Sequence, residues 1–282
     1  MKKLIIVTVI LLAGIGLLAY PSVSNYFAQK NGSTVMSTYT DTVAGLTPDQ
    51  LDAEWQAAEQ YNESITGSPV HDPFLDGSGM AMPEDYMRVL NVAGLIGTLD
   101  IPRIGVNLPI YHGTNDWVLR HGVGHLEGST LPIGGTSRHT VVSGHTGLTN
   151  AKLLTDLVAL ADGDMFYFHV LGRTLAYRVD QVKIIEPYVT DDLKSVEGKD
   201  YATLLTCTPY GVNSHRLLVR GERVEYDPNT QASIKPIKDS EIDAAVRRAA
   251  LITAGVMAGL ILVVAVVRRR REKDASRTAG SR

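Results

Sequence analysis

The sequence predicts a mainly β fold, a closed or nearly closed antiparallel-rich barrel of seven or eight strands within about 130 residues. Two observations carry this. From residue 93 to residue 226, apolar side chains alternate with a period of two, in runs rich in β-branched and aromatic types and bounded by Gly, Pro and Asp. The regular alternation of strands with helix-length apolar patterns that a doubly wound sheet needs is absent from the same stretch.

In order, the strand runs are "LIGTLDIPRIGVNLPIYHG", "HTVVSGH", "DMFYFHVLGRTLAYRVDQVKIIEP", "YATLLTC" and "HRLLVRGERVEY". Between the second and third, "KLLTDLVAL" (residues 152–160) reads as a short helix. Ahead of the barrel, "GLTPDQLDAEWQAAEQYNESITG" carries a helix start: Thr47 caps, Pro48 takes the first helical position and Gln50 completes a capping box. Leu51, Trp55, Ala58 and Asn62 share one face of that helix, and Gly67-Ser68-Pro69 ends it. "HDPFLDGSGMAMPEDY" reads as a Pro/Gly-rich loop, and residues 21–40, polar and weakly patterned, as a stalk.

Two apolar segments flank this region. "LIIVTVILLAGIGLLAY" (residues 4–20) follows Met-Lys-Lys, and "AALITAGVMAGLILVVAVV" (residues 249–267) precedes four arginines. Each approaches the roughly 20 residues needed to cross a bilayer core. The arginine cluster places the C-terminal tail in the cytoplasm. The first segment is a retained anchor or a signal peptide; Tyr20-Pro21-Ser22 is a poor cleavage site. Either way residues 21 to about 246 are expected outside the cell, on the extracellular face of the membrane. The expected domains are residues 1–20 (anchor or signal), 21–92 (stalk, helix and loop), 93–226 (barrel), 227–248 (juxtamembrane linker), 249–267 (span) and 268–282 (basic tail).

Residues 21–246 hold 16 Lys and Arg against 28 Asp and Glu, a formal balance of −12. So acidic a region argues against nucleic acid as a partner. With 44% hydrophobic and 20% charged residues the chain is neither disordered nor fibrous. Its single cysteine, Cys207, excludes an intramolecular disulfide and leaves a thiol that is either buried and inert or reactive.

Three features favour reactivity. Cys207 stands where a strand meets a Pro/Gly loop, Arg216 follows nine residues later across a turn, and an idle exposed thiol is a liability outside the cell. A nucleophilic thiol needs a base and a donor for the developing oxyanion. Among eight histidines, His145 in "VVSGHTGL" sits at a strand end between two glycines. His121 and His125 have a metal-like i, i+4 spacing, but "HGVGHLEGS" is too glycine-rich for a helix and shows no third ligand. "GVGHLEG" is a weak match to a phosphate loop, since it lacks the lysine. His215 adjoins Arg216, His139 opens the His145 strand, and His71, His112 and His169 have no comparable setting. Asp191-Asp192 suggests calcium only weakly; a solvated loop accounts for it. No cofactor or metal is expected.

"TLLTC" with Cys207, "SGHTG" with His145, and Arg216 in "TCTPYGVNSHRLLVRG" together resemble the sortase family, as does "GVGHLEGSTLPIGG". Asp72-Pro73-Phe74 resembles the Asp-Pro-aromatic lid motif of the class C, pilin-polymerising sortases, which also often carry a C-terminal span. Taken alone, the motif is an ordinary turn. The resemblance implies an eight-stranded sortase-type barrel with an N-terminal helix and a lid loop, flanked by transmembrane helices. It implies a cysteine transpeptidase that cleaves an LPxTG-type sorting signal between Thr and Gly, forms a thioester, and joins pilins through a lysine isopeptide bond. Cys207 is then the nucleophile, His145 the proton carrier and Arg216 the oxyanion and substrate binder. Phe74 covers the thiol and Asp72 occupies Arg216. The alternatives are a sortase that anchors surface proteins to peptidoglycan, and a non-catalytic membrane scaffold with a buried cysteine.

Overall fold

A computed structural model describes residues 2–65, 70–74 and 82–237, with residues 251, 254, 255, 258, 259 and 266. Its strands are β1 (Gly97–Ile101), β2 (Val106–His112), β3 (Val123–His125), β4 (Arg138–Ser143), β5 (Met165–Val170), β6 (Arg173–Ile185), β7 (Asp200–Thr208) and β8 (His215–Val224). They close into a barrel in the order β1-β2-β3-β4-β7-β8-β6-β5. Only β2–β3 and β4–β7 pair in parallel. The expected barrel is present. One strand was not anticipated: β3 lies in "GVGHLEG", outside the expected strand runs. There Gly124 is glycine because a Cβ would collide with the Gly113 carbonyl, so the residue marks a close backbone approach inside a strand.

Five helices are defined among the described residues: α1 (Lys2–Ala44), α2 (Pro48–Ser64), α3 (Glu84–Arg88), α4 (Asp116–His121) and α5 (Pro228–Ser233). Residues 152–160 form a 3-10 turn, Thr155–Ala159, rather than an α-helix. The chain divides into two units: Ser22–Ile237, which holds the barrel, and Met1–Pro21 with Lys238–Arg282.

The stalk expected over residues 21–40 is instead helix, continuous with α1. Its Ser- and Thr-rich composition hid a packing stripe at four-residue spacing: Val35 and the buried Tyr39 and Val43 pack on the barrel core. The Tyr39 hydroxyl donates to the Ile96 carbonyl at 3.1 Å and accepts from the Leu171 N–H at 2.9 Å, pinning the helix to the edges of β1 and β5. The capping box of α2 is as expected, with the Gln50 N–H on Thr47 Oγ1 and the Thr47 N–H on Gln50 Oε1. Asn62, on its buried face, accepts from the Leu131 N–H and donates to the Leu131 carbonyl.

The loop expected over residues 71–86 runs into α3, where Tyr86 is fully buried. Its hydroxyl accepts from the Gly113 N–H and donates to Nδ1 of His125, whose Nε2–H donates to the Thr130 carbonyl. Burial holds His125 neutral, down to about 4. Asn62 and Tyr86 thus root both ends of the 63–85 segment on one region of the barrel.

Among the described residues no helix is long and apolar enough to cross a membrane. Of the two expected spans, 13 of the 19 residues of 249–267 fall outside the described residues, and in residues 4–20 the side chains of 4–8 and 11 do. The linker expected over 227–248 is described to residue 237. It starts with α5 and is strapped to the barrel by Gln231 Nε2 on Asp100 at 2.6 Å and by the Ile237 N–H on the Arg103 carbonyl at 2.7 Å.

Candidate active site

Strand register brings the three residues together. β4 and β7 run parallel with Ser143 opposite Leu205, so His145 and Cys207 each lie two residues beyond a matched pair. The Gly144 N–H on the Leu205 carbonyl at 3.1 Å and Thr206 Oγ1 on the Gly144 carbonyl at 2.7 Å extend this pairing to the histidine. On the other side, β7 and β8 are antiparallel with Cys207 directly opposite Arg216. Adjacent strands lie about 4.8 Å apart, so a thiol, an imidazole and a guanidinium meet at one end of three neighbouring strands.

Alternation sets the face. Val142, Leu204, Leu217 and Val219 fill the barrel interior. Val141, Leu205 and Leu218 face outward into a second apolar cluster with Leu126, Ile185 and Leu193. Cys207 is two positions from Leu205, and Arg216 two from Leu218, so both belong to the outer face. The His145 loop is held by the Leu154 N–H on the His145 carbonyl at 3.2 Å and the Gly147 N–H on Thr155 Oγ1 at 3.1 Å.

Residues 70–74 cover this face. Val70 and Phe74 pack into the outer cluster. Asp72 does two things: Oδ1 accepts from the Phe74 N–H at 2.7 Å, fixing the turn, and Oδ2 accepts from Arg216 Nε–H at 2.7 Å. The Asp72 and Arg216 side chains are 2% and 6% exposed, so this is a desolvated pair. Arg216 Nη1 also donates to the carbonyls of Asn213 and His215. The Phe74 ring stands 5.5 Å from the His145 ring and 5.2 Å from Arg216 Cζ, between centroids and atom. Pro73, within the turn, is buried. Cys207 is left 8% exposed.

Burial pushes the Cys207 thiol up; Arg216 opposes this and Asp72 adds to it. Burial pulls His145 down, Arg120 of α4 reinforces the shift and Asp116 opposes it. Both shifts favour uncharged partners, a thiol beside a neutral imidazole able to accept its proton during attack. Alkylation of Cys207 by iodoacetamide should therefore rise with pH only above the ordinary thiol range. In Asp72→Ala, loss of the carboxylate removes a raising influence while Arg216 remains, so the inflection should move to lower pH. A shift to higher pH, read from the rate profile, would contradict the assigned field.

Other residues weighed on sequence are placed elsewhere. His121 ends α4 with Nδ1 on the Trp117 carbonyl, while His125 is bonded to Tyr86 and Thr130, so the two do not converge. His139 is buried between the Lys194 carbonyl and Thr203 Oγ1. His215 lies 3.3 Å from Glu186 and bonds Ser214. Asp191 and Asp192 are paired with Lys194 and Lys183. Two contributors went unread: Thr206, which ties the His145 loop to β7, and Val70, which anchors the covering turn. The only signal for Val70 was an apolar residue two before Asp72.

A family model described as Sortase domain matches residues 99–224. The solved structure of sortase C-1 from Streptococcus pneumoniae is 46% identical, aligned over 68% of this chain and 98% of that one with a TM-score of 0.65. Sortase C1 of pilus island 1 from group B Streptococcus is 42% identical, covering 70% of this chain and 94% of that one, with a TM-score of 0.65. Sortase A of Bacillus anthracis is 28% identical over 182 residues, 60% of this chain and 83% of its own length.

Proposed function

The chain belongs to the sortase family of cysteine transpeptidases, and from that premise we propose that it polymerises pilins at the extracellular face of the cell membrane. The observation that carries the reading is the covering turn: Asp72 on Arg216 and Phe74 beside His145, in the groove that a sorting signal needs. The class C relatives, at 42% and 46% identity against 28% for a sortase A, support it.

In this reading residues 70–74 lift, Arg216 exchanges Asp72 for substrate, and the apolar cluster around Leu205 and Leu218 receives the signal's apolar residues. Cys207 Sγ attacks the threonine carbonyl carbon of an LPxTG-type signal. His145 takes the thiol proton, and Arg216 donates to the oxygen as it becomes negative. Collapse of the tetrahedral intermediate breaks the Thr–Gly bond, and His145 returns the proton to the departing glycine amine, leaving a thioester. The ε-amine of a lysine on the next pilin attacks that carbon. His145 accepts the amine's proton and passes it to the departing sulfur, and an isopeptide bond remains.

The test is the intact mass of the protein after incubation with an LPxTG-type peptide, for wild type and Phe74→Ala. An acyl adduct on Cys207, more abundant in the variant, is expected. Equal adduct in both would remove the covering role of Phe74, and none in either, even with a whole pilin as donor, would defeat the reading. Supplying a pilin lysine or a peptidoglycan stem-peptide amine as acceptor then separates polymerisation from wall anchoring.

A further inference from the structure

On α1 the side chains that meet the barrel leave the opposite face free, and that face changes character along its length. Val23, Tyr26 and Phe27, at i, i+3 and i+4, are 52%, 61% and 55% exposed. The rings of Tyr26 and Phe27 touch edge to face at 5.6 Å. From Lys30 onward the same face is polar and exposed: Lys30, Ser33, Thr34 and Ser37. The apolar patch is therefore confined to the turns nearest the segment 4–20, which ends three residues before Val23.

We propose that the Val23–Tyr26–Phe27 face is a lipid-contact surface lodged in the interfacial layer of a bilayer; this rests on reading residues 4–20 as a retained anchor. Amphipathic aromatic side chains concentrate in that layer, and a lysine just beyond reaches the headgroups. The lengths agree. Residues 4–20 cover only about 26 Å of a core about 30 Å thick, at roughly 1.5 Å per residue, so the edge of the core falls near residue 23 and residue 27 lies about 6 Å beyond it. The polar layer on each side of the core is about 5–8 Å deep. The aromatic turn thus falls within it and the Ser/Thr turns fall in water. Charge does not supply the contact, because the region is strongly acidic.

The contact fixes the height of the active site. Asn25, on the same turn, accepts from the Lys152 N–H at 2.9 Å. Two and three residues on, Leu154 and Thr155 hold the His145 loop. The rim carrying His145 is therefore tied to the turn that touches lipid, and the substrate it favours is a sorting signal held at the bilayer surface.

The test uses the full chain reconstituted in phosphatidylcholine vesicles with brominated acyl chains. Phe27→Trp and Leu12→Trp are each compared with wild type, whose Trp55 and Trp117 set the background. Shallow bromines should quench the Phe27→Trp emission, and deep bromines the Leu12→Trp emission. An unquenched tryptophan at 27 beside a quenched one at 12 overturns the proposal while leaving the anchor intact, and if dilution then alters its emission, the face binds a second copy instead. No quenching at either overturns the anchor reading and the proposal with it. As a second readout, Tyr26→Ser with Phe27→Ser should slow acylation by a vesicle-held sorting peptide several-fold and leave the rate with a soluble peptide unchanged; equal rates with both donors would also refute it.

Discussion

Cys207→Ala is expected to abolish transpeptidation, lowering the acylation rate by about 10⁴-fold or more, with no adduct in the intact mass. The size of the effect follows from covalent catalysis: without the sulfur there is no thioester for the acceptor amine to attack, so His145 and Arg216 have no intermediate to serve. Stability should change little. The side chain is small, and alanine forfeits about 1 kcal/mol of packing at a strand end. Melting temperature and circular dichroism establish that the variant is folded; product formation at anything near the wild-type rate would show that the sulfur is not the nucleophile. His145→Ala should fall nearly as far while keeping a thiol open to alkylation. The non-catalytic scaffold makes the opposite prediction, that neither substitution alters any turnover.

The barrel was legible because seven of its eight strands announce themselves by period-two alternation, and the register that matters most was implicit in a spacing. An offset of nine from Cys207 to Arg216, with a Pro/Gly turn between, makes a hairpin in which the two stand opposite. The partnership of His145 with Cys207 could not be derived that way. It depends on a parallel pairing of β4 with β7, strands separated by β5 and β6, and no local pattern encodes it. β3 was lost because three residues are too few for a period and two glycines mimic a turn. The docked part of α1 was lost for another reason: its buried face is built largely from small and polar residues, and only Val35, Tyr39 and Val43 signal a core. The turn at Asp72 was readable as chemistry through a family likeness. The residue that seats it, Val70, was not, because its role exists only once Leu205 and Leu218 are placed beneath it.

Arg216→Ala and Asp72→Ala should move activity in opposite directions and thiol accessibility in the same direction. Asp72→Ala removes a charge-assisted hydrogen bond from a buried pair, worth roughly 1.5–3 kcal/mol, so the covering turn should open about 10- to 100-fold more often. Cys207 labelling and turnover of a short peptide both rise. Arg216→Ala deletes the proposed oxyanion donor, which should cost about 10²–10³ in acylation rate. It also leaves the Asp72 carboxylate buried without its cation, a state that costs several kcal/mol and is relieved when the turn lifts into water. Labelling therefore rises here too, although catalysis collapses. In the double variant neither partner is stranded, so labelling should not exceed that of Asp72→Ala by the sum of the single effects, and the deficit measures the coupling between the two side chains. Arg216→Lys keeps the charge but not the planar fork and should sit between wild type and Arg216→Ala in rate. Unchanged labelling in Arg216→Ala would mean that Val70 and Phe74 hold the turn by apolar contact alone. The ion pair would then serve to park the guanidinium, not to fasten the turn.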